Sequence, residues 1–152
     1  DGREVDETYR SYLAQGTELI PGATALLEQL EGNIEMYVIT NGISKTQRAR
    51  LNGAGLTQYF KAIFVSEETG FQKPMAGFFD HVFARIPQFD PTRTIIVGDS
   101  LSADIAGGNE AGIATCWFNP EGKSATDIKP TFTISSLDEL PALLENAKVL
   151  QS

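Results

Sequence analysis

Of the two side chains that most often bind soft metals or move protons, the 152 residues hold one cysteine, Cys116, and one histidine, His81. A lone cysteine excludes a disulfide framework within the chain and a thiolate metal cluster, and it fits a reducing, cytoplasmic setting. His81 stands inside an apolar helical pattern, far in sequence from any strand end. It reads as structural, which argues against a Ser-His-Asp relay. Basic charge is scarce too: 12 Lys+Arg against 20 Asp+Glu leave a net charge of −8. No basic cluster is present to neutralise a nucleic-acid backbone. An anionic substrate therefore needs a metal or a placed cation. No apolar run approaches a bilayer span and no signal peptide is visible. Neither nucleic acid nor membrane is expected as a partner. There is also no initiator Met. The chain opens on Asp1-Gly2-Arg3-Glu4 in a polar stretch, so the expectation is a trimmed product or a numbering that begins inside a longer protein.

What is present is enough for one domain, with 41% hydrophobic residues to build a core. Ala23–Leu30 has helical spacing behind Pro21-Gly22. Ile34–Thr40, Ala62–Val65, Thr94–Val97, Thr115–Phe118 and Thr131–Ile134 have strand composition. Ser44-Lys-Thr-Gln47 has the form of a capping box opening a helix to about Leu51. Phe78, Phe79, Val82, Phe83 and Ile86 recur at helical spacing behind Pro74. Leu101 onward and Leu137–Leu144 complete the helices, the former carrying Gly107, Gly108 and Gly112. Strands alternating with helices at short intervals predict an α/β, Rossmann-like doubly wound parallel sheet with right-handed crossovers. The first 16 residues are polar and weakly periodic, and are expected to be a remnant of a different substructure.

In such sheets ligands bind beyond the carboxyl ends of the strands. The residues there are Thr40-Asn41-Gly42, then Ser66-Glu67-Glu68 with Lys73-Pro74, then Asp99-Ser100 with Asp104. A hydroxyl, an amide, a lysine and two acids on one edge form an inventory for an anion held with a hard cation such as Mg²⁺. Thr40, Asn41 and the backbone before a helix can cradle phosphate. Lys73 can neutralise a phosphate or a carboxylate. Gly98 allows a tight exit that presents Asp99. Ser100 or Ser102 can cap the next helix and Asp104 falls in its first turn. Each signal alone has an ordinary explanation: an Asn-Gly turn, a solvated lysine, an acid complementing a helix dipole. Glu67 and Glu68 read as a solvated loop, and Trp117 and Phe118 as late-strand packing.

Together, in order and spacing, "VITNG", "GFQKP" and "IIVGDSLSAD" followed by "IAGGNEAG" resemble motifs II, III and IV of the haloacid dehalogenase-like (HAD) superfamily. The likeness runs from about Thr17 to the C-terminal helix. "VITNGISKTQRARLNGAGL" and "FVSEETGFQKP" are similar to the helical-cap branch that includes pyrimidine nucleoside 5′-monophosphatases. The resemblance implies hydrolysis of phosphomonoesters through an aspartyl-phosphate, with nucleotides favoured and Mg²⁺ as cofactor. It implies that Thr40 hydrogen-bonds the phosphoryl group with Asn41 beside it, and that Lys73 balances charge between phosphate and nucleophile. Asp99 would be the metal ligand. Asp104 would hold Lys73 or reach the metal through water.

The departure from the family is its first motif, Asp-x-Asp-x-[Thr/Val], which supplies nucleophile and general acid/base. No two aspartates here stand two apart, and Glu4-Val5-Asp6 is the nearest approximation. No nucleophile is assigned. In the family that motif lies on a central strand, between those corresponding to Ile34–Thr40 and Thr94–Val97. The expectation is therefore a core, residues 17–152, that lacks its first central strand, with residues 1–16 the end of a helical cap. The two neighbouring strands would then lose a ladder partner. The chain alone would be inactive and incomplete, with the missing segment a nicked-off piece, a separate polypeptide or residues outside the numbering. The competing readings are a non-catalytic binding or assembly module and a phosphomutase. A haloacid dehalogenase is disfavoured by the Gly-Asp pair.

Overall fold

The computed structural model describes residues 11–14, 23–53 and 55–151, and for 11–14, 50 and 146–151 the backbone alone. Six parallel strands form one sheet in the order β3-β2-β1-β4-β5-β6. They are β1 (Ser11–Ala14), β2 (Glu35–Thr40), β3 (Ala62–Val65), β4 (Thr94–Gly98), β5 (Ala114–Phe118) and β6 (Phe132–Ile134). The helices are α1 (Ala23–Leu30), α2 (Ser44–Gly53), α3 (Ser66–Thr69), α4 (Ala76–Phe83), α5 (Ala106–Ala111) and α6 (Leu140–Gln151). One π-helical turn, Leu101–Ile105, precedes α5.

Both faces of the sheet are buried, and side-chain alternation divides the core in two. Met36, Val38, Ile95, Val97 and Cys116 point to one face, where Leu26, Leu27 and Leu30 of α1, Leu51 of α2, and Leu140 and Leu144 of α6 cover them. Tyr37, Ile39 and Ile96 point to the other, under Phe78, Phe79 and Val82 of α4. Phe78 and Phe79 are 0% and 1% exposed. The weak helix formers Gly107 and Gly108 in α5 serve this packing. A Cβ on Gly108 would lie 2.6 Å from Thr115 Cγ2 and 2.7 Å from Ile96 Cγ2, and one on Gly107 would lie 2.6 Å from the Phe79 ring. Among the described residues, no helix is long and apolar enough to cross a membrane.

The predicted gap in the sheet is absent. Ser11–Ala14 lies between β2 and β4, with Ser11 opposite Glu35 and Thr94, and Ala14 opposite Val38 and Val97. The sheet is continuous, so the expectation of a missing central strand is overturned. These four residues belong to the core sheet rather than to a cap remnant. The rest of the 1–16 stretch lies outside the described residues. The physical reason is that ladder bonds come from the main chain. Two inner strands that would otherwise leave a row of polar groups unpaired can be bridged by a segment with little strand signal of its own.

Two local readings are also corrected. The Ser44–Gln47 capping box does not form. Ser44 Oγ instead donates to Glu68 Oε2 at 2.5 Å, its N–H donates to Glu67 Oε1, and Gln47 Nε2 donates to Asn41 O. Glu67 and Glu68 are thus not a free solvated loop. Arg48 Nη2 lies 2.8 Å from Glu68 Oε1, tying α2 to α3. The Arg48 and Ser44 hydrogen bonds hold the Glu68 carboxyl below its ordinary value of 4.5. A lowered folded-state pKa contributes stability that is full above the unfolded value and is lost as the pH falls through the folded one. Glu68→Gln is therefore expected to flatten the fall in melting temperature below about pH 4.5 and leave the neutral plateau nearly unchanged. Thermal melts between pH 3 and 7 check this, and parallel curves would contradict it.

Candidate functional site

Because the strands are parallel, Thr40, Val65 and Gly98 bring their carboxyl ends to one edge of the sheet. Thr40 ends a strand of apolar and β-branched residues and is 2% exposed. Lys73, between α3 and α4, is also buried, as is Asp104. Lys73 Nζ stands 2.5 Å from Asp104 Oδ1, with both side chains fully buried. The other carboxylate oxygen, Oδ2, accepts the Ser100 N–H at 3.2 Å. Ser100 caps the π-helical turn by accepting from the Ala103 N–H. Gly98 leaves the room this carboxylate needs, since a Cβ there would fall 2.2 Å from Asp104 Oδ2. The Lys73–Pro74 peptide bond is cis.

The electrostatics follow from burial. Desolvation pushes the Lys73 ammonium down, opposed by the Asp104 carboxylate and, more weakly, by Asp99. Desolvation pushes the Asp104 carboxyl up, opposed by Lys73 and the Ser100 N–H. Each charge is tolerated because the other is there.

Thr40 Oγ1 donates to Asn41 O at 3.1 Å. The Asn41 carboxamide spans to Lys73, with Nδ2 donating to Lys73 O at 3.2 Å and Oδ1 accepting the Lys73 N–H at 2.9 Å. Asp99 is exposed, and its carbonyl accepts from Trp117 Nε1 at 3.0 Å. Thr40, Asn41, Lys73 and Asp104 thus form one bonded chain, and Asp99 follows the same strand that delivers Asp104.

Mg²⁺ takes an octahedron of hard oxygens, usually one or two carboxylates with water and phosphate. Among the described residues no group of three or more His, Cys, Asp or Glu side chains is gathered to hold a metal. Asp99 offers one exposed carboxylate, whereas both oxygens of Asp104 are engaged with Lys73 and Ser100. The donor set fits an ion held by one protein carboxylate and completed by other oxygens. It does not fit a closed protein cage.

His81 is half-buried, with its ring edge-on to Phe64 at 6.2 Å. Burial and then the Arg85 charge lower its pKa from 6.5.

Two contributors escaped the sequence reading. Trp117 packs in the core as expected, and its indole N–H also fixes the main chain of Asp99. Gln47 was read as a cap, yet it donates to the Asn41 carbonyl. Neither has a local signal, because each acts across a turn of the fold. Trp117→Phe is expected to cost about 1 kcal/mol through the unpaired Asp99 carbonyl. Urea denaturation checks this, and an unchanged midpoint would show the bond to be immaterial.

Residues 3–118 match the haloacid dehalogenase-like hydrolase family. The chain is 50% identical over 145 residues to the HAD-hydrolase YfnB of Bacillus subtilis, covering 95% of this chain and 62% of that protein. It is 41% identical over 142 residues to the pyrimidine 5′-nucleotidase PynA of Streptococcus pneumoniae, covering 92% and 60%. A magnesium-bound crystal structure of the Bacillus subtilis protein superposes with a TM-score of 0.83 at 52% identity, over 85% of this chain and 57% of that one. The chain thus spans about three-fifths of the curated relatives it matches. The chain belongs to the haloacid dehalogenase-like hydrolase family.

Proposed function

We propose that these residues are the charge-handling half of a Mg²⁺-dependent phosphatase acting on small phosphomonoesters, with nucleoside 5′-monophosphates favoured. The observation that carries the reading is the fully buried Lys73–Asp104 pair at the carboxyl edge of the sheet, beside Thr40. A lysine held there presents a fixed positive charge to an anion without a basic surface, as an acidic chain requires. Thr40 can donate to a phosphoryl oxygen, because Gln47 still satisfies the Asn41 carbonyl when the hydroxyl turns away. Asp99 would hold Mg²⁺, which would offset charge on the transferring group. The magnesium-bound Bacillus subtilis relative supports that choice of ion. Nucleotides are favoured by the pyrimidine 5′-nucleotidases among the relatives. The exposed Ile43, Phe71 and Met75, each two residues from Asn41 or Lys73, would offer apolar contact to an organic leaving group.

The chain carries no Asp-x-Asp pair, so we assign no nucleophile and expect no turnover from residues 1–152 alone. A free, buried Cys116 with its thiol pushed up to about 12 by desolvation suits a reducing, intracellular setting. The test is phosphate release in Mg²⁺ from nucleoside 5′-monophosphates and from p-nitrophenyl phosphate, with and without a preceding segment that bears the Asp-x-Asp strand. Turnover by residues 1–152 alone would refute the roles given.

One observation favours a second reading, a non-catalytic module of the same fold. Ser11–Ala14, which contains no acid, occupies the central slot between β2 and β4. Binding of phosphate and Mg²⁺ without hydrolysis, even when the Asp-x-Asp segment is supplied, would select it.

A further inference from the structure

Lys73 is gripped at both ends. Asp104 takes its ammonium, and Asn41 takes its main chain. The amide orientation at Asn41 is forced, because a backbone N–H needs an acceptor and a backbone carbonyl needs a donor. One carboxamide thereby gives Lys73 the same donor–acceptor pair that a neighbouring strand would give. Asn41 is itself fixed from α2, since Gln47 Nε2 donates to its carbonyl at 3.1 Å. Gly42 makes that possible: its φ is +139°, and a Cβ there would lie 2.7 Å from Gln47 Nε2. Ser66 Oγ accepts the Gly42 N–H at 3.0 Å and closes the loop onto α3.

We propose that Asn41 is a positioning residue: its carboxamide sets the main chain of Lys73 and acts on a bound phosphoryl group through that lysine, not by touching the group. The oxygen and one of the two amide N–H groups are committed to Lys73, which fixes the side chain in place; a phosphate titration separates action through the lysine from direct contact by the remaining N–H. This deepens the proposed phosphate site and rests on it for the anion, while the clamp itself is independent of any ligand.

The test has two arms on the 152-residue chain. In the first, amide hydrogen exchange is followed at Lys73. Asn41→Ala is expected to speed that exchange at least tenfold, and Asn41→Asp, which keeps the Oδ1 acceptor but sets a second oxygen against the Lys73 carbonyl, to restore only part of the protection. Unchanged exchange in Asn41→Ala would overturn the clamp. In the second, inorganic phosphate is titrated in Mg²⁺. Asn41→Ala is expected to weaken binding about tenfold in the native background and less than twofold in Lys73→Met/Asp104→Asn, which removes the lysine without stranding a buried charge. An equal loss in both backgrounds would make Asn41 a direct ligand and overturn the proposal. No phosphate binding by the unsubstituted chain would sink the phosphate-site reading instead, leaving the exchange arm to decide the clamp.

Discussion

Lys73→Met is expected to destabilise the chain by about 3–5 kcal/mol, the range for leaving one member of a buried ion pair without its partner. The Asp104 carboxylate is fully buried and keeps only the Ser100 N–H once the ammonium is gone. It must then either carry an uncompensated charge or take up a proton. Lys73→Met/Asp104→Asn removes both charges at similar volume and should recover part of the loss, because an unpaired buried carboxamide costs less than an unpaired buried charge. Equilibrium urea denaturation of the two variants checks this. A double variant no more stable than the single one would mean that the loss comes from packing around the lysine stem, not from the stranded carboxylate. Recovery in the double variant would mean that the pair adds little net stability, which points to a task at the strand edge.

Gly98→Ala is expected to cost a further large amount, at the upper end of the about 1–3 kcal/mol typical of overpacking. Three atoms of Asp104 stand in the way of the new methyl group, Oδ2 at 2.2 Å, Cγ at 2.4 Å and Cβ at 2.7 Å. The clash does not involve the far end of a flexible side chain, because the carboxylate is tethered to Lys73 and to the Ser100 N–H. Relief requires moving either the strand exit or the acid, and both break the bonded chain from Asn41 to Ser100. Nuclear magnetic resonance of the Lys73 amide and side chain should show the displacement. An alanine variant with native stability and an unmoved Lys73 environment would show that the strand exit absorbs the methyl group freely.

The fold was legible where side chains carry the signal. The predicted strand Ala62–Val65 has its observed bounds, and the other predicted strands differ by one residue. The reason is that a sheet buried on both faces demands continuous β-branched and aromatic runs. The central strand was not legible, because four residues pair there through main-chain groups and the sequence around them is polar. The site was legible as an inventory: Thr40, Asn41, Lys73, Asp99 and Asp104 follow strands or flank the loops that do, and four of them are joined by hydrogen bonds. Its supporting bonds were not legible. Trp117 to Asp99, Gln47 to Asn41 and Arg48 to Glu68 span 18, 6 and 20 residues, distances over which no local pattern reports.

The central claim is that Lys73, at this edge, neutralises a phosphoryl group during hydrolysis. Its most direct measurement is Mg²⁺-dependent phosphate release from uridine 5′-monophosphate by a fusion that places the N-terminal part of the Bacillus subtilis relative ahead of this chain, compared with the same fusion carrying Lys73→Met. The expected result is turnover by the fusion and a loss of about 10²–10³-fold on substitution, as when a charge-stabilising group is removed. A folded Lys73→Met fusion that turns over as fast as its parent would contradict it.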